Sequence, residues 1–277
     1  MSNKIYDEFE RSITVKYRAK IWSKFVCAIK EYQLIKPNDH ILVCISGGKD
    51  SMLMARLFMQ LLKHSDFDFK VSYVVMNPGY KEEHINNIKN NLSKLSIDAK
   101  IIDSDIFQVN AKQTHPSCFL CAKMRRGVLY NIAQEFNCNK IALGHHYDDV
   151  IETTLMNMLN SGSFQTMLPK LKSTSHEEIE LIRPMYHVRE KDIISWKNYH
   201  NLDFIQCACE FVDESEKNMI ISQRAFTKKL IKELVKNYNS QVEMNLFKAP
   251  SNVTLDMVLG YKDEEEYHSF LEDYNKE

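Results

Sequence analysis

The 277-residue chain predicts a doubly wound α/β fold, with a mainly parallel five-stranded sheet and helical additions at both ends. Three observations predict it. Short apolar runs of strand length alternate with longer amphipathic stretches, and the first run ends in a Ser-Gly-Gly turn. The composition, 44% hydrophobic and 26% charged, is that of an ordinary globular protein and excludes disordered and fibrous classes. At roughly 150 residues per domain the length suits one large domain with attachments. The expected division is an N-terminal helical extension over 1–38, an α/β domain over 39–206 and a C-terminal helical region over 207–277.

Tyr17, Ile21, Trp22, Phe25, Val26 and Ile29 recur at three-and-four spacing, which predicts one amphipathic helix over about 15–32. The apolar run Ile41 to Ile45 predicts the first strand, and the turn residues Ser46 to Gly48 hand over to a helix over 51–62. The alternation then repeats. Strands are expected at 71–76, 100–102 and 140–143, and helices at 82–95, 118–135 and 148–160. A fifth strand at 180–182 is followed by a helix over 190–199, an extended piece at 204–206 and a long helix over 216–238. Residues 239–253, with Ala249-Pro250-Ser251, are expected to wrap the surface. Tyr267, Phe270, Leu271 and Tyr274 fall at helical spacing.

Thirty-six basic and thirty-seven acidic side chains leave a net charge of -1, so no whole-molecule field gathers nucleic acid. The average hides an asymmetry. Residues 262–277 carry seven acids and two lysines, net -5, which leaves +4 on residues 1–261 and room for a local basic face. No run approaches the roughly 18 apolar residues of a membrane span. Met1 to Arg11 is polar and lacks a signal-type segment, so a cytoplasmic protein with no membrane contact is expected. Seven cysteines in such a chain point to thiolates or metal rather than disulfides. Cys27, Cys44 and Cys138 stand alone and are expected to be small buried hydrophobes.

Ser46-Gly47-Gly48-Lys49-Asp50-Ser51 joins the first strand to its helix, where a doubly wound fold binds ligands. The glycines let backbone amides approach an anion, the helix start adds positive charge and two hydroxyls add donors, which together make a phosphate cradle. It is not a Walker A loop, because Val43 stands where that motif has its first glycine and Asp50 follows the lysine. A capped Gly-Gly turn is the plainer alternative. Gly144-His145-His146-Tyr147-Asp148-Asp149 follows the fourth strand and leaves the same sheet edge. Its carboxylates suit a hydrated Mg²⁺, or Asp148 simply caps the helix. Arg183-Pro184 after the fifth strand offers a phosphate clamp.

Cys118-Phe-Leu-Cys121 opens a helix, and Cys207-Ala-Cys209 lies beyond the fifth strand. Four thiolates would suit zinc; three, with one iron left open, would suit a four-iron four-sulfur cluster. Spacing leaves both open. Lys112, His115, Lys123, Arg125 and Arg126 place positive charge around the first pair, as phosphate contacts or as a solvated helix face.

The hexapeptide at 46–51 resembles the SGG-x-DS signature of the PP-loop ATP pyrophosphatases, which cleave ATP between the α and β phosphates. The segment 144–149 resembles the GHH-x-DD motif of PP-loop tRNA-modifying enzymes. Cys118-x-x-Cys121-x-x-x-Arg125-Arg126-Gly127, with Lys140 to His146, is similar to the tRNA 2-thiocytidine synthetase family, and the similarity runs from about Ile41 through Arg224. The resemblance implies that Ser46, Gly47, Gly48, Lys49, Asp50, Ser51, Gly144, His145 and Arg183 hold ATP, and that the adenine lies by Met76. It implies chemistry at Lys49, Asp50, Asp148 and Asp149 with Mg²⁺. Cys118 and Cys121 would be cluster ligands, with Cys209 as the third and Cys207 as its alternative, since the relatives carry C-x-x-C there.

The implied reaction adenylates O2 of an anticodon-loop cytidine at position 32 and replaces the oxygen with sulfur. The implied partners are tRNA and a sulfur donor such as a cysteine desulfurase, and a homodimer is suggested by the resemblance alone. Glu152-Thr153 is closer to the lysidine synthetase branch. The rival readings are therefore a lysidine-type ligase, a thiolase with zinc at the same cysteines, and a non-catalytic nucleotide- or RNA-binding module.

Overall fold

Ile41, Val43 and Ile45 pack on one face of the first strand and Leu42 and Cys44 on the other, and all five are buried. A strand covered on both faces needs helices on both, and this one has them. The computed structural model describes residues 7–112, 118–173, 176, 178–204, 214–263 and 266–274, without the side chains of 118, 119, 214–222 and 273. Its sheet contains β1 (His40–Ile45), β2 (Lys70–Asn77), β3 (Lys100–Asp103), β4 (Lys140–Ala142), β5 (Lys170–Lys172) and β6 (Glu180–Ile182), in the order β3-β2-β1-β4-β6-β5. All pairings are parallel except β5 with β6.

The five expected strands are present, and the sheet gains a sixth. β5 is a three-residue Lys-Leu-Lys edge strand, too short and too exposed to print an apolar pattern. From β1 the chain moves outward through β2 and β3 and then returns to the other side at β4. The direction of winding reverses between β1 and β4, which opens a crevice beyond their carboxyl ends.

One face of the sheet carries α3 (Lys49–His64), the N-terminal helices and α8 (Glu190–Tyr199), with Phe25, Phe58 and Trp196 in one cluster. Phe25 meets Phe58 edge to face at 5.6 Å. The other face carries α5 (Ile106–Ala111) and α6 (Cys118–Glu135), which bury Phe107, Cys121 and Ile132. Between β2 and β3 runs α4 (Glu82–Lys94), and between β4 and β5 runs α7 (Tyr147–Ser161). Against α7 pack α9 (Glu214–Asn237) and α10 (Val242–Lys248).

The single helix expected over 15–32 is instead a longer run, α1 (Glu8–Arg11) and α2 (Ser23–Glu31) joined by two π-helical turns, Ser12–Lys16 and Arg18–Trp22. The buried set Ile13, Tyr17, Ile21 and Phe25 repeats every four residues. A 3.6-residue helix would rotate each step about 40° off the core, and the wider turns keep the set on one face. Trp196 Nε1 donates to the buried Ser12 Oγ at 3.2 Å, which ties this run to α8.

Three further expectations change. Residues 242–248 form α10 rather than an irregular wrap, because Phe247 stacks on Tyr147 at 4.3 Å and gives the segment an anchor. Tyr267 to Ser269 pairs as a strand, β8, with β7 (Gly260–Lys262), so only Phe270–Tyr274 is helical, as α11. Cys27 is exposed on α2, whereas Cys44 and Cys138 are buried as expected. Of the extended piece at 204–206, only 204 lies inside the described residues. Among the described residues no helix is long and apolar enough to cross a membrane.

Candidate active site

The phosphate loop takes its shape from two features. Gly47 sits at φ +84°, a region that a side chain disfavours. The Ser51 hydroxyl accepts from the Ser46 N–H at 3.0 Å and donates to the Gly48 carbonyl at 3.0 Å, which closes the loop on itself. Gly48 opens α3 without a side-chain cap, so the first turn keeps its amides for an anion.

The second loop is shaped by the start of α7. His146 is its N-cap: Nδ1 accepts from the Asp149 N–H at 3.4 Å, and Asp149 Oδ2 accepts from the His146 N–H at 3.0 Å. This reciprocal box turns Asp149 back onto its own loop, where it lines the cavity with Asp50. The two loops touch. A Cβ on Gly144 would stand 3.1 Å from the Ser51 nitrogen and 3.2 Å from the Asp50 carbonyl carbon, so any larger residue would press the two loops apart by a few tenths of an ångström.

Between the loops and α6 lies a cavity of about 420 Å³, a size suited to a small ligand. Ser46, Asp50, Ser51, Gly144, His145 and Asp149 line one side, and Met76 lies at the end of β2. The opposite wall is Ala122, Arg125, Arg126 and Tyr130 of α6. That helix begins at Cys118 and buries Cys121 in its first turn, positions that share one helix face. The first CxxC therefore belongs to the element that closes the cavity. Cys207 and Cys209 lie outside the described residues.

The remaining expected residues divide. Lys49 does not line the cavity; its Nζ pairs with Asp50 at 3.1 Å and Glu190 at 3.3 Å. Asp148 turns away, accepting from the Glu190 N–H at 2.7 Å and pairing with Arg189 at 3.2 Å. Arg183 is buried behind the site, donating through Nη1 to the Leu168 carbonyl, while its Nε has no partner.

Burial dominates the electrostatics. It raises the Asp50 carboxyl above the usual range, against the opposing charges of His146 and Lys49. It also raises Glu152, opposed by Arg224 and Lys228. Burial would raise Glu190 too, but hydrogen bonding and charge from Lys228, with Lys49 adding to it, bring it to about 2. For His145, burial and the nearby Arg183 and Arg224 lower the imidazole to about 4, so it is neutral at physiological pH. Its Nδ1 has no partner.

Sequence reasoning missed a second layer. Arg224 of α9 reaches Asp149 at 3.7 Å and Glu152 at 3.4 Å, and Lys228 pairs with Glu190. Arg189 joins Asp148 to Glu243 of α10 and lies over the Tyr147 ring at 4.6 Å. Charges four apart on a long helix look in sequence like a solvated face, and nothing in the pattern of α9 says which face packs on α7.

A doubly wound sheet with Ser-Gly-Gly-x-Asp-Ser at one strand end and Gly-His-His-x-Asp-Asp at its neighbour's defines the PP-loop class, and a model of the PP-loop domain matches residues 19–249. The chain is 34% identical to the tRNA-cytidine(32) 2-sulfurtransferase of Nitrosospira multiformis, over 82% of this chain and 74% of that protein. It is 35% identical to the enzyme of the same name from Hahella chejuensis, over 82% and 78%. Its fold is shared with the U34-tRNA thiolase NcsA from Methanococcus maripaludis, at a TM-score of 0.63 and 20% identity over 84% of this chain and 79% of that one. The chain belongs to the tRNA-cytidine(32) 2-sulfurtransferase family.

Proposed function

We propose that this protein uses ATP to replace O2 of cytidine 32 in the tRNA anticodon loop with sulfur, giving 2-thiocytidine. The observation that carries the reading is the single cavity walled by both phosphate-side loops and by the helix that starts with Cys118 and Cys121. Activation and sulfur delivery need one base to meet both, and the cavity lies between the two loops and the helix that carries the first cysteine pair.

The 46–51 loop receives the triphosphate through its amides and hydroxyls, with the adenine against Met76. Asp50 and Asp149 face the cavity together and would hold Mg²⁺ jointly with the phosphates, as this ion favours. Lys49, outside the cavity lining, pairs with Asp50 and acts by holding that carboxylate in place. Asp148 acts by positioning, since it ties α7 to the start of α8. An unstacked cytidine enters from the α6 side, where Arg125 and Arg126 meet RNA phosphates.

O2 of the base attacks the α phosphorus and pyrophosphate leaves with its bonding electrons. A four-iron four-sulfur cluster on Cys118, Cys121 and Cys209, or Cys207 in its place, supplies the sulfur when bound. Sulfur at the sulfide level then adds to C2 and AMP departs; sulfur that arrives as the persulfide of a cysteine desulfurase first takes two electrons from a thiol reductant. His145, neutral and lining the cavity, adds no positive charge beside the reacting base. A sulfur donor of the cysteine desulfurase kind and a homodimer complete the reading; Met257, Leu259 and Tyr274, all highly exposed, offer apolar surface for such pairing.

The test is anaerobic incubation of the reconstituted protein with ATP, Mg²⁺, sulfide and tRNA, then nuclease digestion and mass spectrometry of the nucleosides. The expected product is 2-thiocytidine, with AMP and pyrophosphate in equal amounts. Pyrophosphate released with tRNA but no thiolated base, from a colourless protein that holds zinc, would overturn the sulfur chemistry and leave the adenylation.

A further inference from the structure

Cys27, exposed on the solvent side of α2 where burial was expected, does not stand alone. Glu31 is one turn further along the same helix, and its Oε2 lies 3.8 Å from Cys27 Sγ. His187, in the segment between β6 and α8, brings Nε2 to 2.9 Å from the same oxygen. The three donor atoms all lie within 4.8 Å of one another. None of the three residues lines the cavity described above.

We propose that Cys27, Glu31 and His187 form a second metal site, which takes a divalent cation of the zinc class. Thiolate, imidazole and carboxylate are the donors such an ion prefers. Zinc–sulfur bonds of about 2.3 Å and zinc–nitrogen or –oxygen bonds of about 2.0–2.2 Å at tetrahedral angles separate donors by roughly 3.3–3.6 Å. The spacings found here bracket that range, so small side-chain rotations make the site. Three protein donors leave the fourth position to water, on the exposed side.

The donors are held rather than loose. The His187 ring sits 5.4 Å from Tyr32, 5.6 Å from Phe247 and 6.0 Å from Tyr186, centre to centre, and its side chain is only 14% exposed. Glu31 Oε2 lies within reach of both Cys27 Sγ and His187 Nε2, so the carboxylate stands between the other two donors. An ion here joins α2 to the segment in which Val188 accepts from the Tyr147 N–H at 3.0 Å and Arg189 grips Asp148. It would brace the N-terminal helices against the second loop without touching the reacting groups.

The test is zinc content by difference. The cluster-loaded protein and its Cys27→Ala and His187→Gln variants are each mixed anaerobically with zinc chloride, gel-filtered, and analysed for zinc and iron. The expected result is one equivalent of zinc per chain lost in both variants, with iron content and tRNA-dependent pyrophosphate release unchanged. Added zinc should also raise the melting temperature of the parent and not of the variants. Equal zinc in all three proteins, or none retained by the parent, would show a hydrogen-bonded surface cluster and overturn the proposal. Because iron and pyrophosphate are read in the same samples, failure of this site is distinguishable from failure of the proposed reaction.

Discussion

His146 Nε2 lies 3.7 Å from Asp50 Oδ1, so the N-cap of α7 reaches the first turn of α3 across the crevice beyond the carboxyl ends of β1 and β4. One histidine both caps its own helix and contacts the carboxylate of the other loop. The adjoining pair Asp148 and Asp149 is thereby split, one facing the cavity and one facing α8.

That split predicts different outcomes for two adjacent substitutions. Asp149→Asn should lower tRNA-dependent pyrophosphate release at least about a hundredfold, the scale lost when one stabilising group is removed from a site of developing charge. Asp148→Asn should retain most activity at saturating ATP and lose about 1–3 kcal/mol of stability, because it weakens the Arg189 pair and the bond from the Glu190 amide. Pyrophosphate assays and urea unfolding of both variants separate the two roles.

Gly144→Ala should damage nucleotide binding with little effect elsewhere. Its new Cβ meets backbone of Asp50 and Ser51, which cannot swing aside as a side-chain end would, so the loops must part. A cost of about 1–3 kcal/mol is expected. It should appear as a raised KM for ATP, with an unchanged KM for tRNA.

His145 predicts an acid-sensitive window. The folded imidazole titrates near 4 against 6.5 when free, chiefly through burial. Between those values the unfolded chain binds a proton that the folded chain refuses, so stability is intact above pH 6.5 and is lost as pH falls towards 4. The loss is of order 3 kcal/mol. Asp50 acts in the opposite sense just above pH 3.8, where its raised carboxyl favours the folded chain and stability declines as pH rises. Urea midpoints between pH 4 and 7 should fall less steeply with acid in His145→Gln.

Arg126→Ala tests the basic wall of the cavity. KM for tRNA should rise while KM for ATP stays constant. The logarithmic salt dependence of tRNA binding should flatten by about one unit if Arg126 meets a phosphate. An unchanged salt slope would place the RNA elsewhere.

Much of this molecule could be read from its chain. The five parallel strands, the two loops and the helix that starts at Cys118 all follow from apolar periodicity and short motifs, because each is decided by contacts within a few residues or by burial on both faces. The sixth strand, α10 and the strand at Tyr267 did not show, since each is short and takes its conformation from a neighbour remote in the sequence: β6, Tyr147 and β7 respectively. By itself the sequence determined the class of fold, the phosphate loop and the residue types for the chemistry. Only the tertiary structure decided that Asp149 rather than Asp148 faces the cavity, that Arg224 and Lys228 stand over the acids, and that Cys27, Glu31 and His187 meet. Which side chains converge depends on how helices lie across the sheet, and that is set by packing between segments far apart in the chain.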